Sequence, residues 1–311
     1  MPRVTAIVPS HNGAAFIRAA IDSALNQTFG DLEVVVADDA SRDDTADILA
    51  SFDSRVRVVP VDYGNTQATR NAAIDASDSE LIALLDQDDV WWPRKIERQL
   101  ARFDADPRFG LCYTATRGVD REGREIPGTR LPLEVPESQT EALGRLLSVN
   151  LMTASSVLLP RHVLDRVGPF HAAFHLAGDW DLWLRVAQEH PIAGVPEVLT
   201  DYRWHGENLS RNPIPMLQET ISVQEAALAR IAAHPHWAAD PGLTPYLGPA
   251  RRRLASRYSE LGMRYARAGN RAKALASHRR ALHLGPLTAP HWWRLLRSLV
   301  RLHSPGSGGP R

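Results

Sequence analysis

Leu81-Ile82-Ala83-Leu84-Leu85-Asp86-Gln87-Asp88-Asp89-Val90-Trp91-Trp92-Pro93 passes from five apolar residues directly into three carboxylates, and from there into two indoles. An apolar run of this length that stops at a polar cluster reads as a strand buried on both faces. Asp86 and Asp88, at i and i+2 beyond the strand, can face one pocket and hold a hard divalent cation through oxygen. The same residues also fit a solvated helix start, with Pro93 near the first helical position and acids ahead of it. The strand before the cluster and the tryptophans after it favour the metal-binding reading.

Upstream the same succession recurs. Residues 4–8 form an apolar run that stops at Pro9-Ser10-His11-Asn12-Gly13, and residues 32–37 run into Asp38-Asp39-Ala40-Ser41. Residues 56–61 give a further strand. Residues 14–25 place Phe16, Ile17, Ala20, Ile21, Ala24 and Leu25 at helical spacing, and a second helix is predicted over 66–74. Strands alternating with helices predict an α/β fold with a mostly parallel sheet covered on both faces. In such sheets ligands bind beyond the carboxyl ends of the strands. Pro9-Ser10, Asp38-Asp39 and the cluster at 86–89 all fall at such ends.

Downstream, strands are predicted at 111–117, 155–159 and 198–204, with helices at 141–148 and 181–189. Beyond residue 212 the pattern is helical only, over 216–233, 250–268, 271–283 and 291–303. The expected organisation is a catalytic α/β domain over 1–212, a helical extension over 213–303 and a disordered Gly/Pro/Ser-rich tail over 304–311. Within the extension, Leu261-Gly262, Tyr265-Ala266, Ala268-Gly269-Asn270 and Ala274-Leu275 resemble a single tetratricopeptide-type hairpin. One such unit cannot bury its faces alone.

At 311 residues and 44% hydrophobic the chain can bury a sizeable core. Its one cysteine, Cys112, excludes an internal disulfide framework and a cysteine-based zinc site. No signal-peptide pattern opens the sequence, and no apolar run approaches the roughly 20 residues of a membrane-spanning helix. The expectation is a cytoplasmic protein. Thirty-six basic residues balance 36 acidic ones, yet residues 251–311 hold 14 Lys/Arg against one acid, Glu260. Over 291–303, Trp292, Leu295, Leu296, Leu299 and Val300 alternate with Arg294, Arg297 and Arg301. That pattern suits a helix lying on anionic lipid at the inner face of the membrane, or one packed on the body with a solvated basic face. Nucleic acid is not an expected partner, because the basic residues carry no recognised binding motif.

Four more constellations bear chemistry. Asp39 at a strand end can accept a hydrogen bond from a base N–H, or it and Ser41 can cap a helix. In Tyr63-Gly64-Asn65-Thr66-Gln67-Ala68-Thr69-Arg70-Asn71, Gly64 permits a tight turn and Asn65 or Thr66 can cap a helix. Arg70 can reach a diphosphate by paired hydrogen bonds, or sit on an ordinary helix surface. In Gly178-Asp179-Trp180-Asp181-Leu182-Trp183, an acid at a helix start among tryptophans suits a carbohydrate subsite, or a capped helix with core indoles. Trp183 reads as core. His205, in Tyr202-Arg203-Trp204-His205, can complete a metal shell, contact phosphate or be structural.

Together these stretches resemble glycosyltransferase family 2, whose members have the GT-A fold. The matching segments are Ala6-Ile7-Val8-Pro9-Ser10-His11-Asn12, Ser23 with Gln27-Thr28, Val36-Ala37-Asp38-Asp39-Ala40-Ser41 with Asp43 and Thr45, and Gly64-Asn65 with Arg70-Asn71. They continue with Leu85-Asp86-Gln87-Asp88-Asp89 plus Trp91, and Asp179-Trp180-Asp181-Leu182-Trp183-Leu184-Arg185. The resemblance implies an inverting enzyme with a nucleotide-sugar donor. Pro9, Ser10, Asn12 and Gln87 would line the nucleotide pocket, Asp39 would contact the base, Arg70 would lie near the nucleotide and Asp86 would approach the ribose. Asp88 would hold a Mn²⁺ or Mg²⁺ ion, with His205 beside it. Asp179 matches the general base. Apart from the resemblance, Trp180 and Asp181 beside it are acceptor candidates, and the least patterned stretch, 150–176, offers Thr153, Ser155 and His175. Two departures stand out. The family usually has Glu-Asp where this chain has Gly178-Asp179, and it commonly carries Glu near Gly13. The Gln-x-x-Arg-Trp signature of processive members is absent, so the expectation is transfer of one sugar to a glycan or lipid-linked saccharide.

Rival readings are weaker. A nicotinamide oxidoreductase would need G-x-G-x-x-G after the first strand. A sugar-phosphate nucleotidyltransferase would be expected to carry a Gly-rich basic loop there. A non-catalytic scaffold would make the helical extension the working surface. If residues 291–303 lie on lipid, the protein floats with vesicles containing anionic lipid and not with neutral ones; absence from both fractions would sink that expectation.

Overall fold

The computed structural model describes residues 2–130, 133–206 and 212–284, so the helix expected over 291–303 and the tail over 304–311 lie outside the described residues. Contacts divide the chain into two units. One comprises Met1–Leu146 and Asn150–Leu209; the other comprises Leu147–Val149 and Ser210–Arg311.

The first unit opens with β1 (Val4–Ser10), α1 (Ile17–Leu25), β2 (Leu32–Asp39), α2 (Thr45–Ala50), β3 (Val56–Val61), α3 (Thr66–Asp75) and β4 (Leu81–Leu84). These four strands pair in parallel in the order β3-β2-β1-β4. Every residue of β1 and β4 is buried, as their unbroken apolar runs require. α1 buries Ile17, Ala20, Ile21 and Ala24 along one face. The unit continues with β5 (Val90–Trp91), α4 (Lys95–Ala105), β6 (Leu111–Val119), α5 (Gln139–Leu146), β7 (Val157–Pro160), α6 (Arg161–Val167), α7 (Gly178–Glu189) and β8 (Ile192–Arg203). The sheet extends as β4-β7-β6-β8-β5, with β7 and β5 antiparallel to their neighbours. The expected parallel order therefore holds in the first half, and the second half is mixed.

β8 starts six residues before the predicted strand. Its pairing with β6 shifts register where Thr114 faces Val195 and Ala115 faces Val198. The irregularity takes up Pro196, which has no N–H to give a ladder. Gly194 and Pro196 had hidden the strand behind turn-like residues. β5, only two residues long, lies inside what the sequence presented as the far end of the acidic cluster.

The second unit contains α8 (Pro213–Ala233), α9 (Pro235–Ala239), α10 (Thr244–Arg267) and α11 (Arg271–His283). Ile221, Leu254, Leu261, Tyr265 and Ala274 form its core. Buried Gln224 donates to the carbonyls of Leu147 (2.7 Å) and Ala250 (2.9 Å), and Arg257 donates to that of Ser148 (3.0 Å). These bonds bring 147–149, inside the expected first domain, into the helical unit. Gly262 is there for room: a Cβ would stand 2.7 Å from the His278 ring. No helix among the described residues is long and apolar enough to cross a membrane.

At the end of β2 the chain turns sharply. Ala40 has φ +52°, in the left-handed region where a Cβ crowds the following carbonyl. Ala40→Gly is expected to raise stability by about 1 kcal/mol, net of glycine's freedom in the unfolded chain. Urea denaturation checks this, and an unchanged or lowered midpoint would show that the turn is not strained.

Candidate active site

The parallel register sets three strand ends side by side. Ser10 pairs with Asp38, and Leu85 N donates to Ile7 O at 3.0 Å, so the 11–13, 39–45 and 86–89 loops share one edge. Asp39 organises that edge. Its Oδ1 accepts from the backbone N–H of Tyr63 (2.6 Å) and Gly64 (3.1 Å), and its Oδ2 from Asn65 N (3.2 Å) and Thr69 Oγ1 (2.8 Å). Burial raises the Asp39 pKa, but these four donors outweigh it and hold the carboxyl below its ordinary value. A carboxylate offers about four lone-pair sites, so Asp39 is filled from within. A base N–H reaching Asp39 would share or displace one of these donors.

Two other nucleotide-site residues are likewise committed to the protein. Gln87 Oε1 accepts from His11 N (3.0 Å) while its Nε2 donates to His11 O (3.1 Å). Gly13 accommodates that amide, because a Cβ there would lie 2.4 Å from Gln87 Oε1. A larger residue at Gly13 would require the Gln87 amide to shift. Asn12, with φ +50°, accepts from Arg42 N (2.8 Å) and its own N–H donates to Ser41 Oγ (2.8 Å). Asn65 caps α3 by accepting from Gln67 N and Ala68 N, both at 3.0 Å. Pro9 is buried within β1. Ser10 Oγ is buried with no hydrogen-bond partner among the described residues.

The acidic loop is braced at each end. Ser155 Oγ accepts from Asp86 N (2.9 Å) and donates to Asp89 Oδ2 (2.5 Å). Asp89 Oδ1 accepts from Arg203 N at 2.9 Å. Burial first, and then the charges of Asp88 and Asp86, push the Asp89 carboxyl well above the usual carboxylate range. Asp89 is thus an internal brace, and so is Ser155 in place of an acceptor contact. Asp88 remains at the mouth: its Oδ2 lies 2.7 Å from His205 Nε2. Arg203 Nε holds the Asp88 carbonyl at 2.8 Å, and the His205 ring stands 4.9 Å from that of Phe16. Among the described residues no three His, Cys, Asp or Glu side chains converge into a complete metal shell. A carboxylate and an imidazole at contact distance are nonetheless a donor pair suited to a divalent cation.

Behind the loop, Arg70 is buried at 4% exposure and donates to Asp86 Oδ1. Its Nε is buried with no hydrogen-bond partner among the described residues. Half-buried Asp179, at the start of α7, accepts from Trp180 N (2.7 Å) and Asn150 Nδ2 (3.1 Å). Burial raises its pKa, and the charge of Arg70 opposes the rise. The expected acceptor residues separate here. Trp180 is buried with its indole N–H on Leu146 O at 2.9 Å. Asp181 is wholly buried, with Oδ2 2.9 Å from both Arg185 Nε and His171 Nδ1. Both side chains are buried in this structure. Thr153 stays a candidate, since its Oγ1 has no partner among the described residues. His175 receives Thr66 N at 3.3 Å. Sequence reading missed Phe16 and Gln67 as site residues; Phe16 showed only as a helix-face apolar, and Gln67 gave no signal.

Residues 5–168, more than half of the chain, match the family model described as Glycosyl transferase family 2. A relative from Rickettsia felis, described as an uncharacterized glycosyltransferase, is 29% identical over 213 residues. The match covers 68% of this chain and 35% of the relative, so the chain spans about a third of that protein's length. Mannosyltransferase PcManGT from Pyrobaculum calidifontis, solved with GDP-Man and Mn²⁺, superposes with a TM-score of 0.61 at 22% identity, covering 97% of this chain and 86% of that one. S. aureus TarS 1-349, solved with UDP-GlcNAc, gives 0.60 at 17% identity, covering 91% and 92%. The fold is the GT-A fold.

Asp39→Asn leaves one acceptor oxygen for four donors and is expected to cost about 2 kcal/mol or more. Because the folded-state pKa is depressed, this stabilisation is present above the unfolded value near 4 and is lost as pH falls through the folded value. The gap in melting temperature between wild type and variant should therefore narrow below about pH 4. A gap independent of pH would remove the carboxylate's charge from the account.

Proposed function

The chain belongs to glycosyltransferase family 2, and from that premise we propose that it moves one sugar, with inversion, from a nucleoside diphosphate sugar to a hydroxyl of a glycan or lipid-linked saccharide. Residues 1–212 are the catalytic part in this reading. The observation that carries it is Asp179. A half-buried carboxylate with a raised pKa stands at a helix start, within the electrostatic reach of the Arg70–Asp86 pair. Such a group is a stronger base than a solvated aspartate.

One Asp179 oxygen takes the proton of the acceptor hydroxyl as the hydroxyl oxygen attacks the anomeric carbon. The bond from that carbon to the diphosphate oxygen breaks on the opposite face, and the electron pair leaves with the nucleotide. A single displacement of this kind inverts the configuration. Asp86, held by Arg70, sits at the donor side, and Asp39 builds the pocket wall by holding 63–65. Ser10 Oγ, buried with no partner among the described residues, is a polar atom available to a donor group. Asp88 and His205 would hold Mn²⁺ or Mg²⁺, and the imidazole tilts that choice to Mn²⁺. When bound, the ion supplies positive charge to the leaving diphosphate.

A uridine or thymidine diphosphate is the proposed carrier. The nucleotide-sugar complexes of TarS and PcManGT support the donor class while differing in base. The basic stretch over 251–311 is proposed to bring the enzyme to an anionic lipid surface bearing its acceptor.

Asp179→Asn should lower kcat about 10²–10⁴-fold and leave thermal stabilisation by UDP with Mn²⁺ unchanged. Asp88→Asn should abolish the Mn²⁺-dependent part of that stabilisation. In the wild type, kcat should fall as pH drops through a value above the ordinary aspartate range, because the protonated carboxyl accepts no proton. Normal turnover by Asp179→Asn would remove the base from this mechanism.

A further inference from the structure

A row of polar contacts ties α3 to the segment that leads into α7. Asn65 Nδ2 donates to Ala172 O (2.9 Å), and Asn71 exchanges hydrogen bonds with the Phe170 backbone (2.8 and 3.0 Å). Gln67 belongs to this row through its Nε2, which donates to His175 O at 3.2 Å. It is also the member that reaches the charged site. Its Oε1 accepts from Arg70 Nη1 at 3.0 Å, while Nη2 of the same guanidinium serves Asp86.

Gln67 is 2% exposed, and the space it fills belongs to the residue before Asp179. A Cβ on Gly178 would stand 2.7 Å from both Cγ and Cδ of Gln67 and 3.1 Å from its Nε2. Real side chains essentially never approach so closely, and the glutamine cannot withdraw without dropping bonds at both ends of its amide. Glycine opens α7 here although it is a poor helix former.

We infer that Gln67 is a positioning residue for the transfer step: one end of its amide fixes Arg70 on Asp86, the other holds the His175 carbonyl in the segment that leads into α7 and Asp179, and Gly178 is the residue that admits it. The inference rests on the reading of Asp179 as base. The chemistry calls for an amide. Glutamate could accept from Arg70 but not donate to the His175 carbonyl, and it would add a negative charge beside Asp86 and Asp179. Methionine fills the volume and does neither.

The test compares wild type, Gln67→Met, Gln67→Ala, Gly178→Ala and the double variant Gln67→Ala/Gly178→Ala. A misplacement of about 1 Å can cost roughly 100-fold, so Gln67→Met should lower kcat about 10- to 100-fold with donor KM changed less than about threefold. Gly178→Ala should reproduce that loss while Gln67 is present and add nothing once Gln67 is alanine. Wild-type kcat in Gln67→Met, or an equal loss from Gly178→Ala in both backgrounds, would overturn the inference. If the wild type transfers no sugar from any nucleotide donor, the proposed function fails by itself. The melting temperatures of the wild type, the two alanine variants and their double then still read the shared space, and additive losses there would overturn it.

Discussion

Three carboxylates within four residues repel one another, and the surrounding fold is arranged to hold that repulsion in place. Each acid meets a different partner. Asp86 takes a buried arginine from α3, and Asp89 is buried against Ser155 and the backbone of Arg203. Asp88 is left at the mouth with His205. The braces come from α3, the turn before β7 and the end of β8, so several elements must be in place before the cluster exists. A cation bound beside Asp88 would relieve part of that repulsion.

Much of this was legible in residue order. The first four strands and their helices follow from unbroken apolar runs and from turn residues, because parallel strands buried on both faces need such runs. The strand-end position of Asp38-Asp39 and of the acidic cluster was equally plain. Pairing across distance was not: His205 and Asp88 are 117 residues apart, and the sequence offered a metal contact for His205 only beside a phosphate contact and a structural role.

Several candidate residues are already partly engaged inside the protein. Asp39 and Gln87 bond the backbone of 63–65 and of His11, and Arg70 bonds Asp86 and Gln67 while its Nε has no partner among the described residues. Residue type reports what a group can bind, whereas the local fold decides what it binds first. Asp181 is the same case, drawn inward by Arg185 one helical turn away. Ser10 and Thr153 show the converse, as buried hydroxyl oxygens without a partner among the described residues. Such atoms are unfavourable in an empty pocket, and that gives them more weight as contacts than the committed acids.

The bonds between Gln87 and His11 reach beyond the shape of the loop. A side-chain amide there does what a neighbouring strand would do, holding an irregular backbone by both its N–H and its C=O. The adjoining turn is held from Asn12 to Ser41 and Arg42. A pocket wall restrained in this way has little conformational entropy left to lose when a ligand arrives. Binding free energy that a loose loop would consume in becoming ordered is then free to orient the bound molecule.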